Sequence, residues 1–311
     1  MQRSNTIQST GLIAVRRRIP WKGLFFLAVV YLVWGSTYLA IHVAVSPEGG
    51  MPPFALGAMR LGTAGALMLG WAAVTGRTVR LPGRELVTHA TLGTLLWLGG
   101  NGLVVWALTR TSSGYAALLM GAMPIFAALL DAGLARRAPS RRAVLGLILG
   151  VAGIAALSAP ELRAGGAAVL GGMIALTLAA LSWATGSVYG SRRPVTVDST
   201  VSSGWVLLFG GAGFGLVSLL RGEPTATPST EALYALAYLI VIGSVVGFGS
   251  YMIALRLLPT DLVMTHAYVN PVVAVILGWW LLGEPLSPTT WVGAALVLLG
   301  VYNVFRGRPG A

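Results

Sequence analysis

The residues with chemistry to offer in this 311-residue chain are mostly uncharged. Trp34, Ser36 and Tyr38 share one apolar segment, Trp97, Asn101 and Trp106 a second, and Tyr115, Met120 and Met123 a third. Further along come Trp183, Ser187 and Tyr189, then Ser244, Phe248 and Tyr251, then His266, Tyr268 and Asn270. Rings with single polar handles, joined by adaptable methionines, suit a pocket that is mostly apolar with a few oriented polar groups. A small molecule with an apolar body and a polar end would fit such a pocket, with Asn101 and Asn270 available to the polar end. Trp97, Asn101, Trp183 and His266 are the strongest candidates. For each ring taken alone, the competing reading is packing or a place in an interfacial belt.

Ionisable groups inside apolar segments are few, and such groups are functional candidates by default. His266 is the candidate for a substrate contact or a proton relay, against a hydrogen bond between helices. Arg60 reads as snorkelling to the headgroups or pairing structurally, with a cavity carboxylate as the alternative. His42 and His89 sit near segment ends and read as interfacial. The carboxylates Glu48, Glu85, Asp131, Glu161, Asp198, Glu223, Glu231, Asp261 and Glu284 all fall in or next to connections. There is no cysteine and no grouping of metal ligands. An enzyme working in the membrane needs a nucleophile, a metal cluster or paired acids. The sequence has none of these, so no catalytic residue, metal or cofactor is expected.

These side chains must be positioned by membrane helices. Apolar residues make up 56% of the chain and charged residues 10%, against roughly 25% charged in a soluble domain. The apolar residues come in long blocks, and about 20 are needed to cross the hydrocarbon core. Ten such blocks lie near 22–45, 54–75, 86–109, 112–134, 143–159, 167–190, 200–220, 232–256, 261–282 and 289–305. The first is too long for a signal-peptide core and ends in no small-x-small cleavage site. The net charge of +12 does not mark a nucleic-acid partner, because the basic residues sit in short clusters between apolar blocks.

Orientation follows from arginine and lysine in the connections. With the N-terminus inside, seventeen basic residues fall on the cytoplasmic side, and only Arg110, Arg163 and Arg221 fall outside. The expected fold class is therefore all-α and integral to the membrane, with ten transmembrane helices and both termini cytoplasmic. A bias to Ala, Gly, Leu and Arg, with Lys22 the single lysine, points to a bacterium with a GC-rich genome, hence a multi-pass inner-membrane protein.

The chain also repeats itself. At an offset of 147, Gly100 falls on Gly247, Gly102 on Gly249, Pro124 on Pro271, Ser140 on Ser287, Gly146 on Gly293 and Gly153 on Gly300. Trp34 meets Trp183 at 149. The units are 22–159 and 160–305, between tails 1–21 and 306–311. Five spans per unit is an odd number, so the second enters the membrane inverted. Inverted repeats are common in secondary transporters, with the substrate site near the midplane between them. Pro124 and Pro271 interrupt equivalent helices and read as hinges, or equally as static kinks. Gly146 with Gly150, and Gly293 with Gly300, read as close helix packing.

Several stretches resemble the EamA-type branch of the drug/metabolite transporter superfamily. They are Tyr31-Leu32-Val33-Trp34-Gly35-Ser36-Thr37-Tyr38, Trp106-Ala107-Leu108, Val269-Asn270-Pro271 and Gly283-Glu284-Pro285-Leu286-Ser287. The resemblance covers residues 22–305. It implies two inverted five-helix repeats and export of amino acids or other small metabolites from the cytoplasm. Within the branch the chain is most similar to exporters of aromatic and neutral amino acids. One departure is that Arg137 stands at the first-repeat position matching Glu284, which argues against a symmetric role for the glutamate. The alternatives are export of drugs, nucleosides or sugars on the same fold and, more distantly, a channel or an intramembrane enzyme. The lack of acidic relays favours a facilitative or weakly coupled mechanism. The expected partners are a small-molecule substrate and the lipid bilayer, with a monomer sufficient to form the cavity.

Overall fold

The computed structural model describes residues 20–134, 136, 140–258, 263, 266–283, 286 and 288–306. Among them the secondary structure is helical throughout, with no strand. The first repeat holds α1 (Trp21–Val45), α2 (Pro53–Val74), α3 (Gly83–Ala107), α4 (Ser113–Met120) and α5 (Met123–Leu134). Then come α6 (Arg141–Ser191), α7 (Ser199–Leu220), α8 (Thr230–Leu257), α9 (His266–Leu282) and α10 (Pro288–Arg306). By length and composition five helices can cross a membrane: α1, α3, the Leu170–Ser191 part of α6, α7 and α8. Shorter apolar helices lie at Met123–Leu134, Val272–Leu282 and Pro288–Gly300. Large apolar side chains such as Trp21, Leu32, Val74, Leu219 and Trp280 point outward. On a water-soluble monomer so much apolar surface would be a liability; in lipid it costs nothing.

Two features differ from the sequence reading. The spans expected at 143–159 and 167–190 lie within one unbroken helix of 51 residues. That would be about 76 Å if straight, more than twice the hydrocarbon thickness. The Ala- and Leu-rich flanks of the expected connection favour helix on both sides. The first part of α6 packs on α10, where a Cβ at Gly300 would lie 2.6 Å from the Gly146 carbonyl oxygen. Its last part packs on α3. The two prolines also differ. Pro124 follows a turn at Gly121–Ala122 and sits in the first turn of α5, where its missing N–H costs no bond. Helix α9 runs unbroken through Pro271. Arg137, Asp261, Glu284, Pro285 and the tails 1–19 and 307–311 lie outside the described residues.

Helices α2 and α7, equivalent in the repeat, pack antiparallel, the relation that inverted duplication requires. Side chains past the end of each reach the N-terminus of the other. The Glu223 carboxylate, just past the end of α7, accepts from Phe54 N (3.0 Å) and Ala55 N (2.8 Å) at the start of α2. At the other end, Asp198 caps α7 by accepting from Thr200 N at 2.8 Å. Arg77, past the end of α2, donates to Asp198 at 2.8 Å and to Thr200 Oγ1 at 2.7 Å. Carboxylates satisfy orphan N–H groups and complement the positive end of the helix.

Burial pushes the Asp198 carboxyl up, but the Thr200 N–H and hydroxyl and the Arg77 guanidinium outweigh it and hold the group below the usual carboxylate range. A depressed pKa gives stability that is present above the unfolded-state value of about 4 and lost as pH falls through the folded one. Asp198→Ala should therefore cost about 1 kcal/mol at neutral pH, mostly from the lost cap, since the ion pair is partly exposed and screened. The gap in melting temperature between wild type and variant should narrow as pH falls below the usual carboxylate range. A gap that widened on acidification would contradict this account.

Contacts between the repeats are reciprocal as well. Helix α1 lies along α8, and the last part of α6 lies along α3. Trp34 of α1 sits over Gly247 of α8, where an added Cβ would lie 2.7 Å from the indole Nε1. Trp183 of α6 sits over Gly100 of α3, where the same atom would lie 2.8 Å from Cε3. At both places only glycine admits the ring.

Candidate functional site

Helices α3 and α8 each contain a ten-residue π-helical segment, Gly93–Gly102 and Leu239–Phe248. These positions correspond in the repeat. π-Helical turns are rare, mostly single, and frequent at functional sites. Here each segment turns side chains or carbonyls toward the centre of the bundle. The first supplies Trp97 and Asn101. The second supplies Ser244, Phe248 and the Gly243 carbonyl, which accepts from Trp34 Nε1 at 3.1 Å.

Beside the first of these segments lies a cavity of about 50 Å³. It is lined by Trp34, Thr37, Tyr38 and Ile41 of α1, Arg60 of α2, and Trp97, Gly100, Asn101 and Val104 of α3. Ala117 and Met120 of α4, Gly121, Met123 of α5, Trp183 of α6, and His266, Ala267 and Asn270 of α9 complete the lining. Both repeats contribute. The space holds a few water molecules and falls well below the roughly 300–1,000 Å³ of a small-molecule pocket. It must widen to admit a metabolite.

Much of the wall is a cluster of aromatic rings. The Trp34 centroid lies 5.4 Å from that of Trp183 in an edge-to-face arrangement, 5.0 Å from Tyr251 and 5.2 Å from His266. Trp97 meets Trp183 at 5.8 Å and Phe248 at 5.1 Å. These are the separations at which ring quadrupoles attract. The Val263 carbonyl accepts from His266 Nδ1 at 3.1 Å, so a neutral ring keeps Nε2 as an acceptor. Oriented so that Nδ2 donates to the His266 and Tyr31 carbonyls at 3.0 and 3.2 Å, the Asn270 amide keeps Oδ1 as an acceptor.

Of the residues singled out in the sequence, Trp34, Tyr38, Trp97, Asn101, Met120, Met123, Trp183, His266 and Asn270 line the cavity. Ser36, Tyr115, Ser187, Ser244, Phe248 and Tyr251 do not line it. Ser36 bonds the Val33 carbonyl and the Tyr238 hydroxyl. Ser187 bonds the Trp183 carbonyl and pairs with Tyr251 Oη at 3.2 Å. Phe248 and Tyr251 are fully buried and brace the lining rings, and Tyr115 is buried outside the lining. Ser244 is held by Arg60.

Arg60 does not snorkel. It is 2% exposed, with Nε donating to Ser244 Oγ at 2.9 Å and Cζ 5.3 Å from the Trp97 ring centroid. Trp97 and Ser244 are repeat equivalents, so the guanidinium is clamped between matching points of the two halves. Snorkelling needs the side chain to point along lipid toward the interface, and this one points into the bundle. The signal was available: an arginine well inside an apolar segment is rarely left to lipid. His89 also departs from its interfacial reading. It is fully buried, with Nδ1 2.7 Å from the Glu85 carbonyl oxygen and Nε2 3.0 Å from Ser202 Oγ, joining α3 to α7.

Seven buried side-chain polar atoms have no partner among the described residues. Four of them belong to residues that line this one cavity: Arg60 Nη1, Trp97 Nε1, Trp183 Nε1 and Asn101 Oδ1. Buried polar groups are normally satisfied, and an exception asks for an explanation. Their concentration at one cavity makes it the candidate binding site.

Comparison with known proteins bears on the same point. The EamA-like transporter family matches this chain twice, over residues 21–159 and 170–306. The Escherichia coli (strain K12) protein named "Uncharacterized inner membrane transporter YedA" is 33% identical over 298 residues, covering 94% of this chain and 93% of that one. A Salmonella typhimurium protein named "Probable amino-acid metabolite efflux pump" is 27% identical, covering 91% and 95%. A crystal structure at 24% identity superposes with a TM-score of 0.67, covering 91% of this chain and 96% of its own.

Proposed function

The chain belongs to the EamA-like transporter family, and on that premise we propose that it exports amino acids, aromatic and other neutral ones first, or related small metabolites. Export proceeds from the cytoplasm across the bacterial inner membrane by alternating access. Two inverted repeats, 22–159 and 160–305, put both termini in the cytoplasm, with ten spans when α6 divides between its first part on α10 and its last part on α3, and a monomer suffices. The observation that carries this reading is the small, aromatic-lined cavity, walled by both repeats and carrying unpartnered polar atoms. Alternating access needs two halves that can repack around a central site, and the reciprocal seats of Trp34 and Trp183 suit such an exchange. The amino-acid assignment draws on the Salmonella relative's name and on the rings and methionines of the lining.

No carboxylate lines the cavity among the described residues. Transport is therefore facilitative or weakly coupled to protons. Proteoliposomes holding the purified protein should take up labelled Phe, Met or Thr above empty liposomes, with initial flux nearly independent of an imposed pH gradient. No flux of any of the three would sink the amino-acid assignment. A several-fold stimulation by the gradient, abolished by His266→Ala, would overturn the coupling.

A further inference from the structure

Arg60 carries a charge inside the bundle with little to balance it. Its described partners are one hydroxyl and one ring face, and the single ion pair among the described residues is Arg77 with Asp198. A buried cation is expensive unless paired. Nη1 has no acceptor, and the indole N–H of Trp97 also lacks one at the same cavity, while that of Trp183 is turned to the Tyr251 hydroxyl. Two unmatched donors, one of them charged, line a space with no described acid. The slot is shaped as well as charged. A Cβ on Gly243 would lie 3.3 Å from Arg60 Nη2 and 3.1 Å from Thr37, so the glycine leaves room for the guanidinium to lie flat.

We propose that the cavity selects its cargo by a carboxylate seated on Arg60, so that carboxylate-bearing metabolites are bound and their amides and amines are not. This rests on the cavity being the substrate site. The planar guanidinium fork matches a carboxylate, and Lys cannot reproduce that geometry. The indole N–H of Trp97 adds a neutral donor to the same anion. Asn101 Oδ1 and the ring face of Trp34 offer an ammonium group an acceptor and a cation–π contact without a negative charge. An amino acid is thus held chiefly by its carboxylate, and loss of the amino group is tolerated. Arg60 of the first repeat is itself bonded to Ser244 of the second, so the bound anion would load a contact between the two halves.

The test uses the purified full-length protein in detergent and reads tryptophan fluorescence, since three indoles line the cavity. The probes are phenylalanine, 3-phenylpropionate, phenylalaninamide and phenethylamine. Both carboxylates should give saturable signals at least about tenfold tighter than the amide or the amine, the size of one charge-assisted contact of about 1.4 kcal/mol. Arg60→Gln should erase that preference, and Arg60→Lys should retain a weakened one. Melting temperatures without ligand show whether the variants fold, and the comparison of the four probes on wild type stands without them. Amide or amine binding as tight as carboxylate binding would overturn the proposal. So would the absence of saturable carboxylate binding, or a folded Arg60→Gln variant that keeps the preference. Carboxylate binding without flux in proteoliposomes would sink the transport reading and leave the Arg60 site standing. Equal flux of all four compounds would do the reverse.

Discussion

Gly211→Leu is expected to cost about 3 kcal/mol or more and to lower the melting temperature sharply in detergent. A Cβ at Gly211 would sit 2.7 Å from the backbone nitrogen of Gly62 and 3.2 Å from its Cα. Those are main-chain atoms of α2 and cannot swing aside. Helices α2 and α7 approach so closely because the seam is built of small residues: Gly65 faces the Gly204 carbonyl, and Gly57 faces the ring of Phe214. Between membrane helices there is no water to expel, so contact distance and packing hold them together. Leucine would force the pair apart and strain both N-terminal caps that link them. Overpacking a tight site typically costs about 1–3 kcal/mol, occasionally more, and an obstacle made of backbone belongs at the upper end. The built-in control is Gly62→Leu. A Cβ at Gly62 meets nothing within 4 Å, so this variant should melt close to wild type. Equal melting temperatures for the two variants would show that the seam is not set by these glycines.

The second large effect falls on transport. Gly100→Ala or Gly247→Ala should reduce initial flux about 10- to 100-fold while leaving a folded, monodisperse protein. In the conformation seen here each glycine is covered by a tryptophan, and the added methyl would press on Trp183 Cε3 or Trp34 Nε1. A cost of about 1–3 kcal/mol confined to one conformation shifts the equilibrium away from it by roughly that factor. Where the carrier passes through this conformation in every cycle, depopulating it slows transport. The two positions are repeat equivalents and should be affected alike. Wild-type flux in both variants would mean that these ring seats are not part of the cycle.

Much of this was legible in the sequence, and the reasons for the rest are physical. Long apolar blocks and the sparse charges between them point to membrane helices, because lipid removes the need for a polar surface. The 147-residue register already pairs Gly100 with Gly247, Trp97 with Ser244 and Asn101 with Phe248. Those pairs prove to be the two ring seats and the matching faces of the two π-helical segments. The π-helical segments themselves left no mark in the sequence, since the backbone registers differ by one hydrogen-bond step that any apolar stretch can take. Which side chains face inward was also hidden. In water a helix declares its buried face by polarity. In lipid the outer face is as apolar as the inner, so Thr37 and Ile41 of the lining were not separable from Ser36, which turns away. His89 was misplaced, and the snorkelling and pairing readings of Arg60 were not separable, because chain position says how deep a residue sits and nothing about which way it points.

The most direct measurement is counterflow: uptake of labelled phenylalanine at trace concentration into proteoliposomes preloaded with unlabelled phenylalanine. A carrier that closes around a cavity too small to conduct must alternate, so the label should accumulate transiently above equilibrium, with a rate that saturates with phenylalanine concentration. Uptake that rises linearly with concentration and never overshoots, or that matches empty liposomes, would contradict alternating access through this cavity.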